Sequence, residues 1–386
     1  MHPSVFIRNI GFTKVGDHWG SSISELAFEA SKKVLGDIRP DAIIVANAYA
    51  ELTSSQANLG SVIADAFDLD GPEAFRVESA GASGAAAIQT ASGLIKSGEA
   101  KSALVVGVEK MRDLDPQKLT LAQALSEHAE YSQFFGISFP SMNALIARMY
   151  MKKFGIDREK LSSFPVLAHR NSSTVAHAQF RKKFTVEEVS RSEVVSDPLR
   201  VLDCAPVGDG AAAALFVSGE LLSPEERGSS VELVASESSS GRLNFFERDD
   251  PLHFDATQSA TKKALAKSGL TLDHINFFEI HDSYSIGAGL SIEAIGLSKK
   301  GHAFLDASSG RFDLSGKHPV STFGGMKARG YPVGAAGVYQ VCEAFLQLTE
   351  KAEFNQVPHA RRGLIHTMSG IDSSAHVHVV SRRGAS

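Results

Sequence analysis

Apolar positions along the chain fall into two alternating rhythms. Ile23, Leu26, Ala27, Ala30 and Val34 recur at the spacing of one helical face. Ser22 and Glu25 form a capping-box pattern at the start of that helix. After Pro40, Ala42 to Ala46 make a short, continuous apolar run bounded by turn residues, the pattern of a strand buried on both faces. The alternation predicts an α/β protein built from helix–strand units.

The order then repeats. ASKKVLGDIRPDAIIVANAYA, from Ala30, is matched by ATKKALAKSGLTLDHINFFEIHDSY, from Ala260: a helix end with paired lysines, a turn and an apolar strand. SAGASGAAAIQTASGLIKSG, from Ser79, is matched by FGGMKARGYPVGAAGVYQVCEAFLQL, from Phe323: a glycine-rich turn running into an alanine-rich helix. DGAAAALFVS, from Asp209, and SSAHVHVVS, from Ser373, read as strands closing each half. The pattern predicts an internal duplication of roughly 150 residues per half. The expected division is residues 1–225 and 226–386, joined near Ser223–Gly228. Residues 113–200 have no counterpart in the second half and read as an insertion covering an active site or a dimer face. Within it a helix is expected over Ser141–Phe154, followed by a polar segment, His169–Lys183, whose histidines, with His128, are expected at the surface or in loops. The polar tail after Val380 is expected to fray.

Composition narrows the function more than the fold. The 386 residues carry a formal charge of -5, which gives no electrostatic reason to expect nucleic acid or an anionic membrane as partner. Two cysteines, Cys204 and Cys342, exclude a disulfide scaffold and a four-cysteine zinc site. The start, MHPSVFIRNIGF, lacks the pattern of a secretory leader, and no apolar run approaches the ~20 residues of a membrane helix. A cytoplasmic location is expected.

Several segments resemble the thiolase superfamily, most closely its archaeal and sterol-carrier type: VESAGASGAAA at Val77, DCAPVGDGAAAA at Asp203, EIHDSYS at Glu279 and GGMKARGYPVGAAG at Gly324. ARMYMKKFG at Ala147 and HRNSSTVAHAQFRKKFTVEEV at His169 extend the resemblance through the insertion. The resemblance implies two similar α/β halves in five layers (αβαβα), usually a homodimer or homotetramer. It also implies action on acyl-CoA thioesters with no metal and no covalently bound cofactor.

Two departures change the expected chemistry. In thiolases a cysteine at a strand-to-helix turn takes the acyl group, its thiolate favoured by the helix N-terminus. The matching position here is Gly81. The histidine that activates this thiol, in a Gly-His-Pro motif, is matched by Tyr331 in Gly330-Tyr331-Pro332. Nucleophile and activator have changed together. Neither Cys204 nor Cys342 matches the nucleophile, and Ser83 belongs to the small-residue turn.

Other parts persist. His281, in His281-Asp282-Ser283-Tyr284, matches the histidine that helps hold the thioester oxygen. His366 and Gly370 lie in GLIHTMSG, where the family carries its last catalytic loop. His366 either faces the site or braces the loop, and Gly370 and Gly81 are expected to offer backbone N–H groups. Tyr331 and Tyr284 resemble the arrangement in thiolase-fold steroid side-chain aldolases, which have lost the cysteine and use tyrosines for proton transfer. A retro-aldol reaction needs a base for the hydroxyl proton, a sink for the enolate and an acid for the α-carbon. Gly81 would leave room for a bulkier substrate. Lys152, Lys153, Arg181, Lys182 and Lys183 could meet CoA phosphates, but a charge run is usually a solvated face and names no site.

The expected function is therefore non-covalent carbon–carbon chemistry on a CoA thioester. Tyr331 and Tyr284 would act as acid and base, and His281, Gly81 and Gly370 would stabilise an oxyanion. Two alternatives stand beside it: an acetyl-CoA C-acetyltransferase with an altered nucleophile, and a silent CoA-binding scaffold subunit. The resemblance also implies a possible small zinc-ribbon/OB-fold partner protein.

Overall fold

The computed structural model describes residues 3–36 and 38–382. Its strands are β1 (Val5–Phe12), β2 (Ala42–Ala46), β3 (Glu73–Val77), β4 (Ser102–Glu109), β5 (Val194–Ser196), β6 (Leu199–Arg200), β7 (Gly210–Ser218), β8 (Val231–Ser240), β9 (Phe277–Glu279), β10 (Arg362–Ser369) and β11 (Ser374–Arg382). Nine of the described strands form one mixed sheet in the order β3-β2-β4-β7-β1-β8-β11-β10-β9, and β5 and β6 make a separate hairpin.

The sheet carries the duplication seen in the sequence. β1 meets β8 only at Phe6↔Glu232 and Ile7↔Val231, so the sheet is two half-sheets joined at a short seam. Outward from the seam, β1, β7, β4 and β2 correspond to β8, β11, β10 and β9. β2 pairs in parallel with β3 and β4, and β9 pairs in parallel with β10. The counterpart of β3 has shrunk to a single bridge, Phe278↔Val320.

Two alanine-rich helices, Ser83–Ser97 and Ala336–Leu348, lie between the half-sheets, and their apolar residues share one core with both. They touch backbone to backbone. A Cβ on Gly84 would come within 2.8 Å of Val338 N, and one on Gly337 within 2.7 Å of Ala85 N. Small residues at these positions let the helices fit into one layer. Ile23–Ser31 and Leu59–Ala66 cover the outer face of the first half-sheet. Asp255–Ser268 and Ser285–Ile295 cover that of the second. The result is the expected five-layer α/β architecture.

Local expectations hold where the pattern was strong. Ser22 Oγ accepts from Glu25 N at 3.2 Å while Ser22 N donates to the Glu25 carboxylate at 2.7 Å. The expected insertion helix spans Phe139–Phe154. The expectation of a surface or loop position fails for His169, in the helix Ser163–Ser172, and holds for His177, which lies in a loop although it is buried. His169 and His177 are buried, the first against the Phe184 ring at 4.7 Å and the second bonded through Nε2 to Glu343 at 3.0 Å. Both sit where the insertion packs onto the second half, a contact that local polarity does not reveal. Arg382 still belongs to β11, and residues 383–386 of the expected frayed tail lie outside the described residues. No described helix is long and apolar enough to cross a membrane.

Candidate active site

The parallel pairings of each half end at one place. Gly81 follows β3, Tyr49 follows β2, His281 follows β9 and Gly370 follows β10. Ligands of α/β sheets bind at such carboxyl ends, where backbone donors and helix N-termini collect.

Gly81 lies in the tight turn Ala80–Ala82 at the entrance of the helix Ser83–Ser97. Ala80 sits at φ +42°, a left-handed conformation unfavourable for a residue with a Cβ. The turn is held by its neighbours. Ala80 N donates to the Glu78 carboxylate at 2.5 Å, and Ser83 Oγ donates to Ala80 O at 2.7 Å while accepting from Ser79 N at 2.9 Å. Ser83 thus braces the turn. The Gly81 N–H has no partner among the described residues.

A Cβ on Gly81 would stand 2.5 Å from Tyr331 Oη, 2.9 Å from Met368 O and 3.0 Å from His281 Cε1. The phenol therefore occupies the space a side chain at position 81 would need. This corrects the expectation that the glycine leaves room for a bulkier substrate. Tyr331 is fixed from behind: its N–H donates to Pro206 O at 3.1 Å, and the preceding turn is gripped by Asp282, which accepts from Met326 N at 2.7 Å.

His281 meets Tyr331 edge to face, with Nε2 3.4 Å from Tyr331 Oη and 3.1 Å from Ser283 Oγ. Met368 N donates to His281 Nδ1 at 3.4 Å, which assigns the ring proton to Nε2. Burial holds the imidazole pKa well below its ordinary value, so His281 is a neutral N–H donor. Burial likewise drives the Tyr331 and Tyr284 phenols well above the usual tyrosine range, and both are protonated at neutral pH.

Tyr284, Tyr331 and Gly81 line one small cavity with Gly370, Tyr49 and Ser126; its free volume is about 30 Å³, room for one water-sized group. Gln123, Ser126 and Phe139 reach it from the insertion, so that segment does cover the site. The segment Asp203–Val207 is tied to both tyrosines by isolated bridges, Cys204 to Tyr284 and Val207 to Tyr331.

Tyr49 and Glu109 are the members sequence reasoning missed. Glu109 is fully buried and accepts from Ala48 N at 2.8 Å, Tyr49 N at 3.2 Å, Gly334 N at 2.8 Å and Asn47 Nδ2 at 2.9 Å. It clamps the Tyr49 loop to the segment that follows Tyr331. Burial raises its pKa to about 7 despite those donors. The available signal was positional: both residues stand at the carboxyl ends of neighbouring parallel strands.

His366 stands behind the cavity wall. Its Nδ1 accepts from His281 N at 3.4 Å, and its Nε2 lies 2.9 Å from Thr257 Oγ1, which donates to Asp372 at 2.6 Å. Both ring nitrogens are engaged, which is the bracing arrangement. Gly370, at φ +50°, lines the cavity and its N–H has no partner among the described residues. Cys204 Sγ contacts Arg200 O, with its thiol pKa pushed up to about 12 by burial, and Cys342 is buried in the second central helix. Lys153 and Lys182 are in surface ion pairs with Asp250 and Glu188.

Comparison with known proteins places this geometry in a family. The model described as Thiolase, N-terminal domain matches residues 10–220, and that described as Thiolase C-terminal domain-like matches residues 237–382. The chain belongs to the thiolase family. An acetyl-CoA acetyltransferase of Methanothermobacter thermautotrophicus is 36% identical to this thiolase-family chain, over 98% of the chain and 99% of the relative. Human sterol carrier protein 2 is 29% identical over 94% of the chain and 69% of its own length. The solved Ltp2-ChsH2(DUF35) aldolase superposes with a TM-score of 0.85, covering 100% of both chains at 20% identity, a likeness of fold. Within this thiolase fold, Gly81 and the Tyr331 phenol face one another.

Proposed function

We propose that the protein acts on an acyl-CoA thioester and breaks or makes the carbon–carbon bond beside the thioester carbonyl without a covalent acyl-enzyme. The observation that carries this reading is the Tyr331 hydroxyl standing 2.5 Å from where a Gly81 side chain would begin. A nucleophile's space is taken by a proton donor. In the cleavage direction, the β-hydroxyl gives up its proton, the Cα–Cβ electron pair moves onto the thioester oxygen, and a phenol protonates the α-carbon. His281 Nε2–H and the free N–H groups of Gly81 and Gly370 serve the enolate oxygen. Tyr331 and Tyr284 are the proton carriers. The aldolase named among the structural neighbours, a complex with a DUF35 protein by its own name, supports both this chemistry and a small zinc-ribbon/OB-fold partner. Homo-oligomerisation and a cytoplasmic location complete the reading.

Incubation of the purified chain with β-hydroxyacyl-CoA thioesters tests it, with products and intact protein mass followed together. A carbonyl product plus a shortened acyl-CoA is expected, with unmodified protein. Tyr331→Phe should lower the rate by about 10²-fold or more. A thioester adduct on the wild-type chain, or an unchanged Tyr331→Phe rate, would sink the proposal.

The acetyltransferase reading is favoured by the 36% identical relative's name. It requires a nucleophile that neither described cysteine supplies, since Cys342 is in the core and Cys204 does not line the cavity.

A further inference from the structure

The three cavity phenols, Tyr49, Tyr284 and Tyr331, are all held above the usual tyrosine range by burial and are protonated, so none starts the reaction as a base. Carbon–carbon cleavage by proton transfer needs a group that receives the hydroxyl proton. The buried carboxylates can be sorted by what they hold. Glu109 accepts four hydrogen bonds and Asp372 accepts from Ala256 N, Thr257 N and Thr257 Oγ1. Glu279 accepts from Thr322 N and Oγ1, and it sits in the core opposite Glu343 and Arg329. Each of these three ties backbone together.

Glu127 differs. It is 7% exposed, and its buried Oε1 has no hydrogen-bond partner among the described residues. That oxygen stands 3.2 Å from where a Cβ on Gly370 would lie, directly behind the cavity wall. Its chain neighbour Ser126 lines the cavity. The charged and titratable groups facing it are Tyr49 on the cavity side and Arg248 on the other, where Arg248 shares a second, solvent-reaching pocket with His253, Asp255 and Asp372. Glu279, Glu293 and Glu343 also have one buried oxygen without a donor, but each is held through its other oxygen, whereas no described group donates to the Glu127 carboxylate at all, a costly state for a buried charge.

We infer that Glu127 is the proton acceptor of this site, taking the proton that leaves the substrate's β-hydroxyl through the cavity phenols and returning it for delivery to the α-carbon. The inference rests on the cleavage reading above. The balance is closed. One O–H bond breaks and one carboxyl O–H forms as the Cα–Cβ pair moves to the thioester oxygen. The enolate then takes a proton at Cα from a phenol, and Glu127 reprotonates that phenol. Burial raises the Glu127 pKa to about 7, with Arg248 pulling it back, so the carboxyl exchanges protons near neutrality. Glu127 acts through other groups and is a positioning residue for the proton.

The test compares wild type, Glu127→Gln and Glu127→Asp on a β-hydroxyacyl-CoA, with kcat and KM measured across pH and with α-proton exchange into heavy water read by NMR. The wild-type kcat is expected to fall as pH drops through about 7, because protonated Glu127 cannot accept. Glu127→Gln should lower kcat by about 10²-fold, remove that limb and leave KM within about twofold. Glu127→Asp should restore part of kcat and the limb. A Gln variant that keeps the wild-type kcat and limb overturns the inference and leaves the cleavage reading standing. A wild-type chain that neither cleaves nor exchanges overturns both.

Discussion

The entrances of the two central helices are the same structure with opposite contents. Each half runs through a tight turn into an alanine-rich helix, from β3 into Ser83–Ser97 in one case and from the single bridge at Val320 into Ala336–Leu348 in the other. The first entrance presents Gly81, with no side chain, and the second presents Tyr331, whose hydroxyl lies in the volume the glycine vacates. The helices touch at Gly84 and Gly337, so neither entrance can shift to make room. Residues on duplicated elements 250 positions apart therefore share one packed volume, so the size of one constrains the other. A phenol here stands over a bare backbone.

Exchanging the contents of the two entrances is the strongest way to break this comparison. Gly81→Cys with Tyr331→His removes the phenol and supplies a thiol with an imidazole beside it. Cleavage should fall by about 10²-fold or more, and acetyl-CoA should leave a thioester adduct visible by intact mass. Absence of the adduct in a folded double variant would mean that the entrances are not interchangeable. A thermodynamic cycle sharpens the shared-volume argument. Gly81→Ala should cost about 1–3 kcal/mol in the wild-type chain and clearly less in a chain already carrying Tyr331→Phe, because the clash at 2.5 Å is with the hydroxyl. Equal costs in denaturant titrations would show that Met368 O and His281, not the phenol, close the space.

The smallest effect concerns the carboxylates behind the entrances. Glu109 and Glu127 ionise near 4.5 in an unfolded chain and at about 7 in the folded one, so the folded state keeps protons the unfolded state has lost. Their contribution is full below the unfolded value and disappears as pH rises through the folded one. Between pH 4.5 and 6.5 the buried histidines oppose this trend: the pKa values of His366 and His378 drop to about 3 and that of His376 to about 4, so acid favours the unfolded chain. Above 6.5 the histidines are neutral in both states. Stability should then fall from about pH 6.5 to 8 by on the order of 1 kcal/mol, seen as a lower Tm, and Glu127→Gln should flatten the fall. A Tm that rises over this window would contradict the assignment of these groups as buried acids.

Much of the architecture was legible in the sequence. The helix from Ile23, the strand Ala42–Ala46 and the repeated glycine turns announce themselves through periodicity, since a strand buried on both faces and a one-sided helix demand different spacing of apolar residues. Gly81 and Tyr331 were visible too, because both fall inside recognisable motifs. The sequence did not reveal that these two residues touch, nor that Tyr49 lines the cavity beside them while Glu109 clamps its loop and Glu127 stands behind Gly370, nor that His169 and His177 are buried. Those facts depend on which strand ends and which insertion come together across the seam. Apolar periodicity is a local consequence of helix and strand geometry, so the chain itself determined the elements and their order. The proximity of a phenol, a bare glycine and an unpartnered carboxylate is a property of packing between distant segments, and only the tertiary structure decided it.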